Sequence, residues 1–168
     1  MSEPAQKESL WRRWVVQPII SQLAQGTDPS KIAWAIAFGV TTGIFPLLGT
    51  TILVSLAIGI PLRLNQPVLQ VFRELMYPLH LASILLFIRA GESLFGVAHT
   101  SLSLSVMVAK FGAGPGQFMS DYGMLGVYAV SVWGLLAVLL LPLVYFISKP
   151  FVAVISKKFT SSSSSYAQ

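Results

Sequence analysis

The chain has no cysteine, so disulfides, thiolate metal sites and cysteine nucleophiles are excluded, while the redox compartment stays open. Charge is scarce as well: only 10% of the 168 residues are Asp, Glu, Lys or Arg, against roughly 25% in soluble domains. Two histidines and six acids, scattered along the chain, supply no metal-ligand spacing and no close carboxylate pair. There is no Gly-x-Ser-x-Gly, His-Glu-x-x-His or phosphate-loop pattern. No catalytic residue, metal ligand or cofactor is therefore expected, and the sequence reads as a non-enzyme. The net charge of +5 sits beside apolar segments and forms no patch interleaved with aromatics, which argues against a nucleic-acid partner and for membrane lipids.

What fills the chain instead is apolar: 54% hydrophobic residues and a mean hydropathy of +0.72. Ile32 to Leu62 is a run of 31 residues without a charge, interrupted at its centre by Gly43-Ile44-Phe45-Pro46-Leu47-Leu48-Gly49. As one helix it would measure about 46 Å, too long for a hydrocarbon core of about 30 Å; split at Pro46, each half of roughly 20 Å is too short to cross. A helical hairpin that enters the bilayer and turns back satisfies both lengths. Tyr122 to Ser148, 27 uncharged residues between Asp121 and Lys149, is long enough to span with tilt. The expected fold is therefore all-α: a polytopic helical membrane protein with a re-entrant, proline-broken hairpin and a C-terminal transmembrane helix.

Three regions follow. Residues 1–27 form an N-terminal segment with Trp11, Val15, Ile19 and Leu23 at four-residue spacing, suited either to the membrane interface or to packing on the rest of the protein, with Pro18 kinking or restarting it. Residues 28–149 form the membrane domain, opened by Asp28 as N-cap and Pro29 at the first helical position. Residues 150–168 form a cytoplasmic tail whose serine run should be disordered. Between them, Arg63-Leu64-Asn65-Gln66-Pro67 reads as a polar turn before a fresh helix, Ser93 to Ala109 as an interfacial or protein-covered helix, and Phe111 to Gly116 as a flexible loop. Basic residues at both ends place both termini in the cytoplasm of a bacterial inner-membrane protein, which requires an even number of crossings.

A second break, Met76-Tyr77-Pro78-Leu79-His80, repeats the first at a constant offset of 32, with Phe45 over Tyr77 and Thr51 over Ser83. Either the two prolines kink two ordinary helices, or these are repeated broken membrane helices, which mark binding sites. The candidate substrate-binding residues are Thr42, Pro46, Gly49, Thr50, Arg63, Asn65, Arg73, Glu74 and His80. The half-helix starting near Gly49 presents unpaired N–H groups and a positive dipole end, suited to a phosphate or carboxylate that Arg73 or Arg89 completes. Arg73 and Glu74 are either intramembrane and functional or simply wet at the interface, and His80 is either a hydrogen-bonded buried imidazole or a titrating group. Thr41, Thr42, Thr50 and Thr51 either bind freed carbonyls or line the site. Half-depth segments need covering by protein, so a homo-oligomer is expected, associating through Gly39 and Gly43.

The stretches Lys31-Ile32-Ala33, Gly39 through Thr50 and Arg63-Leu64-Asn65-Gln66-Pro67 resemble the bacterial membrane family catalogued as domain of unknown function two thousand and sixty-two. The resemblance covers about Asp28 to Lys149 and departs at Arg73-Glu74-Leu75-Met76-Tyr77-Pro78, where the family tends to carry Asn-Pro before its apolar-Pro-Tyr run. It implies the membrane fold and carries no activity. The function expected from the residues is transport or handling of an anionic, phosphate-bearing lipid at paired broken helices, the alternative being a non-transporting scaffold that docks a partner membrane protein.

Overall fold

The computed structural model describes residues 16–100 and 104–165, and these are all-helical with no strand among them. The elements are α1 (Gln17–Ala24), α2 (Pro29–Gly43), α3 (Thr51–Gly59), α4 (Gln66–Leu75), α5 (Tyr77–Leu94), α6 (Leu104–Ala113) and α7 (Pro115–Ser165).

Punctuation residues set most of these boundaries. Asp28 caps α2, its carboxylate accepting from the Ser30 amide at 2.6 Å, with Pro29 in the first turn. Asn65 caps α4 through the Val68 amide at 3.2 Å and also donates to Gln22 Oε1 at 2.6 Å, tying α1 to the start of α4. Asn65→Ala should therefore cost about 1 kcal/mol for the cap alone, with an additional loss of α1 docking, read as faster amide exchange at Ile19 and Leu23. α1 and α5 end alike: the residue after the C-cap adopts positive φ (Gly26, Gly96), and paired backbone bonds such as Val97 N to Glu92 O and Gly96 N to Ser93 O close the turn; after α3 the same pairing, Leu64 N to Gly59 O and Arg63 N to Ile60 O, places the positive φ at Arg63, three residues past the C-cap Ile60. Arg63, at φ 51°, occupies a position glycine takes without strain. Arg63→Gly is expected to leave the melting midpoint unchanged or raise it.

Close approaches fix the packing. α2 runs parallel to α4, because a Cβ on Gly39 would lie 2.6 Å from Leu69 O and one on Gly43 would lie 2.7 Å from Met76 Cβ. The glycine face expected to join two copies is thus consumed inside one chain, against α4. α3 turns back antiparallel to α4, pairing Thr51 with Arg73, Ser55 with Gln70 and Gly59 with Gln66. α2 lies antiparallel to α7: Ser30 Oγ meets Tyr145 OH at 2.9 Å, and further along Trp133 Nε1 donates to Thr41 O at 2.9 Å. α5 crosses α7 where Gly91 lies against the Tyr128 backbone.

Two apolar clusters result. Ile19, Ile32, Ala35, Ile36, Val68, Leu69, Phe72 and Val152 pack at one end; Ile44, Phe87, Ile88, Leu125 and Ala129 pack toward the other. Ile19 is fully buried, so the described part of the N-terminal stripe packs on protein; Trp11 to Val15 lie outside the described residues.

Three boundaries differ from expectation. Ser93 to Ala109 is not one helix, since Gly96 ends α5 and α6 starts only at Leu104. The glycine-rich stretch is mostly helical: α6 continues through Gly112 and Ala113, leaving Gly114 between it and α7, because Pro115 sits in an N-terminal turn, where its missing amide costs nothing. α7 also runs on through the tail to Ser165, a helix already formed adding one backbone bond per residue. Lys110 Nζ straps α6 to Asp121 Oδ2 at 2.6 Å; that hydrogen bond holds the ammonium above the ordinary lysine range.

Phe118–Lys157 is long and apolar enough to cross a membrane, and α4 with α5, bent by 65° at Met76, passes the same test only as a pair. Lys31, Arg63, Lys149 and Lys157 gather at the end where α2 starts and α7 finishes, opposed among described side chains by Asp28. At the other end Arg89 and Lys110 are matched by Glu92 and Asp121.

Candidate functional site

The two breaks meet at one level. α2 has 15 residues, about 22 Å, so its C-terminal turn stops opposite Trp133, two residues from Leu135 at the centre of the uncharged run of α7. Trp133, unassigned from sequence, satisfies a carbonyl freed by the break and meets Phe45 edge-on at 4.8 Å. The α4–α5 bend at Met76 lies against the same turn, through Gly43. The breaks are not equivalent, however. The first reverses the chain and the second bends it, and Ser83, the counterpart of Thr51, bonds only to His80 O in its own helix.

From this level a polar seam descends between α3 and α4. Arg73, 8% exposed, donates from Nε to Gln70 Oε1 at 2.7 Å, from one terminal nitrogen to Thr51 Oγ1 at 3.1 Å and from the other to Glu74. Gln70 Nε2 in turn donates to Ser55 Oγ at 3.1 Å, and Gln66 packs on Gly59. The small and hydroxyl residues at 51, 55 and 59 recur every four positions, one face of α3, opposite a row of long polar side chains on α4. That spacing was visible in the sequence, and Ser55 and Gln70 are the members that reasoning from the breaks alone passed over. Glu74 turns outward, its side chain 62% exposed.

Of the other candidates, Thr42 is buried and its hydroxyl returns to Phe38 O at 2.7 Å, the carbonyl-capping role. Pro46 is buried at the turn, Gly49 is exposed at φ 76°, and Thr50 Oγ1 bonds Leu47 O at 2.9 Å. His80 is 2% exposed with its ring against the Phe45 backbone. Arg63 and Asn65 stand apart: both lie at the opposite end of α3 and α4, where one shapes a turn and the other caps a helix. Arg89 is also elsewhere, paired with Glu92. The turn therefore gathers Pro46, Gly49 and Thr50 with Arg73 and His80, and leaves Arg63, Asn65 and Arg89 out.

Beside the turn opens an almost wholly apolar groove of about 720 Å³, walled by Pro46, Leu47 and Leu48, by Ile84 and Ile88 of α5, and by α7 around Tyr122. The site is thus a proline-broken turn, a buried α4 arginine bonded to the first residue of α3, and an apolar groove alongside. Residues 12–160 match the family described as uncharacterized proteins conserved in bacteria, DUF2062. The chain belongs to this family. No curated protein and no solved structure matches the chain. The matched span runs from before α1 into α7, but the family's description attaches no chemistry to Arg73, Pro46 or the groove.

Proposed function

We propose that this DUF2062 protein is a membrane module that handles a phosphate-bearing lipid at the turn of a re-entrant hairpin. In this reading α2 and α3 dip to mid-depth and return, α4 with α5 makes one broken crossing, and α7 makes the other. The clustering of Lys31, Arg63, Lys149 and Lys157 at one end supports a cytoplasmic side there, with both termini on it.

The observation that carries the proposal is Arg73, buried within the protein and reaching the first turn of α3. An arginine at the bilayer centre costs about 2.5–3.5 kcal/mol on insertion scales, so it is kept there for a partner. Its guanidinium has five donors; the three bonds above leave two, and the exposed Glu74 can swing away to release another. A phosphate would take these in bidentate fashion and add the free amides at the start of α3, while the adjoining groove accepts an acyl chain.

The test is a titration of the purified full-length protein in mild detergent with short-chain phosphatidylglycerol, and with diacylglycerol of the same chain length as the uncharged comparison. A charge-assisted contact of about 1.5–3 kcal/mol predicts that Arg73→Gln weakens phosphatidylglycerol binding roughly ten- to hundredfold. Arg63→Gln, removing a charge from the far end of α3, should change it little. Equal binding by wild type and Arg73→Gln, or equal affinity for the two lipids, would remove the proposal.

A further inference from the structure

Three buried side-chain atoms lack a hydrogen-bond partner among the described residues: Thr41 Oγ1, His80 Nδ1 and Gln66 Oε1. The first two flank the same feature, the end of α2. Thr41 precedes Phe45 by one helical turn, the His80 ring lies against the Phe45 backbone, and Trp133 touches both sides of the pair, donating to the Thr41 carbonyl and packing on the Phe45 ring. Thr41 and His80 are each 2% exposed. With Nδ1 bare and the hydrogen bond to the Phe45 backbone left to Nε2, the imidazole carries its proton on Nε2, so a lone pair and, at the end of the same helix, a hydroxyl without an acceptor are both buried.

We propose that Thr41 and His80 hold a buried water under the α2–α3 turn, and that His80 Nδ1 takes up a proton through it, making the turn a proton-binding site. One water accepting from Thr41 Oγ1 and donating to His80 Nδ1 removes both deficits, and internal waters characteristically sit where such groups would otherwise be unsatisfied. The end of α2 adds the negative end of its dipole, which favours the imidazolium. Half-helix C-termini in membrane proteins bind protons and sodium ions on the same grounds. On protonation the Nδ1 lone pair becomes an N–H bond to the incoming proton, and the water turns to accept from it.

The charged and titratable surroundings are few. α4 contributes Arg73, whose carbonyl lies against Gly43 while its guanidinium is directed to Thr51, and the outward-turned Glu74. α5 contributes Tyr77, its ring 6.2 Å from the imidazole. The end of α2 from Thr41 to Gly43, the whole of α3 and the stretch of α7 from Val130 to Leu140 carry no ionisable side chain. With no carboxylate pointed at it, His80 is placed to load and unload a proton instead of remaining in a permanent ion pair.

The proposal stands apart from the lipid reading, and its test reads protonation alone. In full-length protein with His99→Asn, reconstituted in lipid nanodiscs and labelled with nitrogen-15 histidine, His80 supplies the only imidazole signal. At about pH 8 Nδ1 should appear unprotonated with an exchange cross-peak to water, and it should gain a proton as the pH falls toward about 4. Thr41→Val should abolish the water cross-peak, and Thr41→Ser, which keeps the hydroxyl, should retain it. A protonated Nδ1 at high pH, an Nδ1 that never titrates across this range, or a site without water contact would each overturn it.

Discussion

Gly43→Leu is expected to destabilise the protein by about 1–3 kcal/mol, the cost of overpacking a close helix contact, and to lower its melting midpoint by several degrees. A Cβ there would sit 2.7 Å from Met76 Cβ and 2.9 Å from Arg73 O, and the second neighbour is backbone, which yields only if α4 moves. Gly39→Leu meets Leu69 O at 2.6 Å and should behave alike. Gly134→Leu is the control: nothing among the described residues lies within 4 Å of its Cβ, so the midpoint should hold. Because Arg73 is part of the backbone that Gly43 contacts, the loss extends to the seam. A thermal melt in detergent checks the stability change, and faster exchange of the α4 amides locates it. Equal melting of Gly43→Leu and Gly134→Leu would mean that α2 and α4 do not pack as described.

Glu92→Gln is expected to release the segment after α5. Glu92 is fully buried, accepts the Thr100 amide at 2.8 Å and holds Arg89 at 2.9 Å, so one carboxylate anchors both a helix side chain and the returning chain. Arg89 is 39% exposed, which screens the ion pair and leaves the bond to Thr100 as the larger share of the loss. Removing a charged acceptor from a hydrogen bond costs about 1.5–3 kcal/mol, which corresponds to roughly ten- to hundredfold faster exchange at Thr100, while amides in α2 keep their protection. Uniform loosening of all helices would show Glu92 to be a core residue instead of a local anchor.

How legible this architecture is from sequence depends on the kind of signal. Asp28-Pro29, Asn65-Gln66-Pro67 and Tyr77-Pro78 act through their own backbone chemistry, so the starts of α2, α4 and α5 were readable from them directly. The charge-free run with its central proline likewise announced two short arms joined by a turn. Long-range partnership was not readable. Gly39 and Gly43 look the same whether a second copy or α4 fills their face, and only the path of the chain decides it. Arg63 and Arg73 are equally basic and ten residues apart, yet α4 carries one to the turn and leaves the other at the opposite end. Trp133 resembled an ordinary membrane-helix tryptophan until its indole was seen on the Thr41 carbonyl. Phe111 to Gly116 misled because glycine lowers helix propensity without forbidding the helix, and Pro115 fits a helix start as readily as a loop.

The account depends most on where the α2–α3 turn lies in the bilayer. The absence of cysteine allows one to be introduced at a chosen position, and Leu48, 63% exposed at the turn, accepts a label without repacking. A fluorophore on Leu48→Cys in vesicles should be quenched by lipids carrying a nitroxide deep in the acyl chain and spared by an aqueous quencher on either side. The same fluorophore on Arg63→Cys should show the reverse. Aqueous quenching of the Leu48 label, or labels at the two positions reached from opposite faces of the membrane, would contradict the proposed re-entrant hairpin and leave the proposed lipid site at Arg73 without a bilayer.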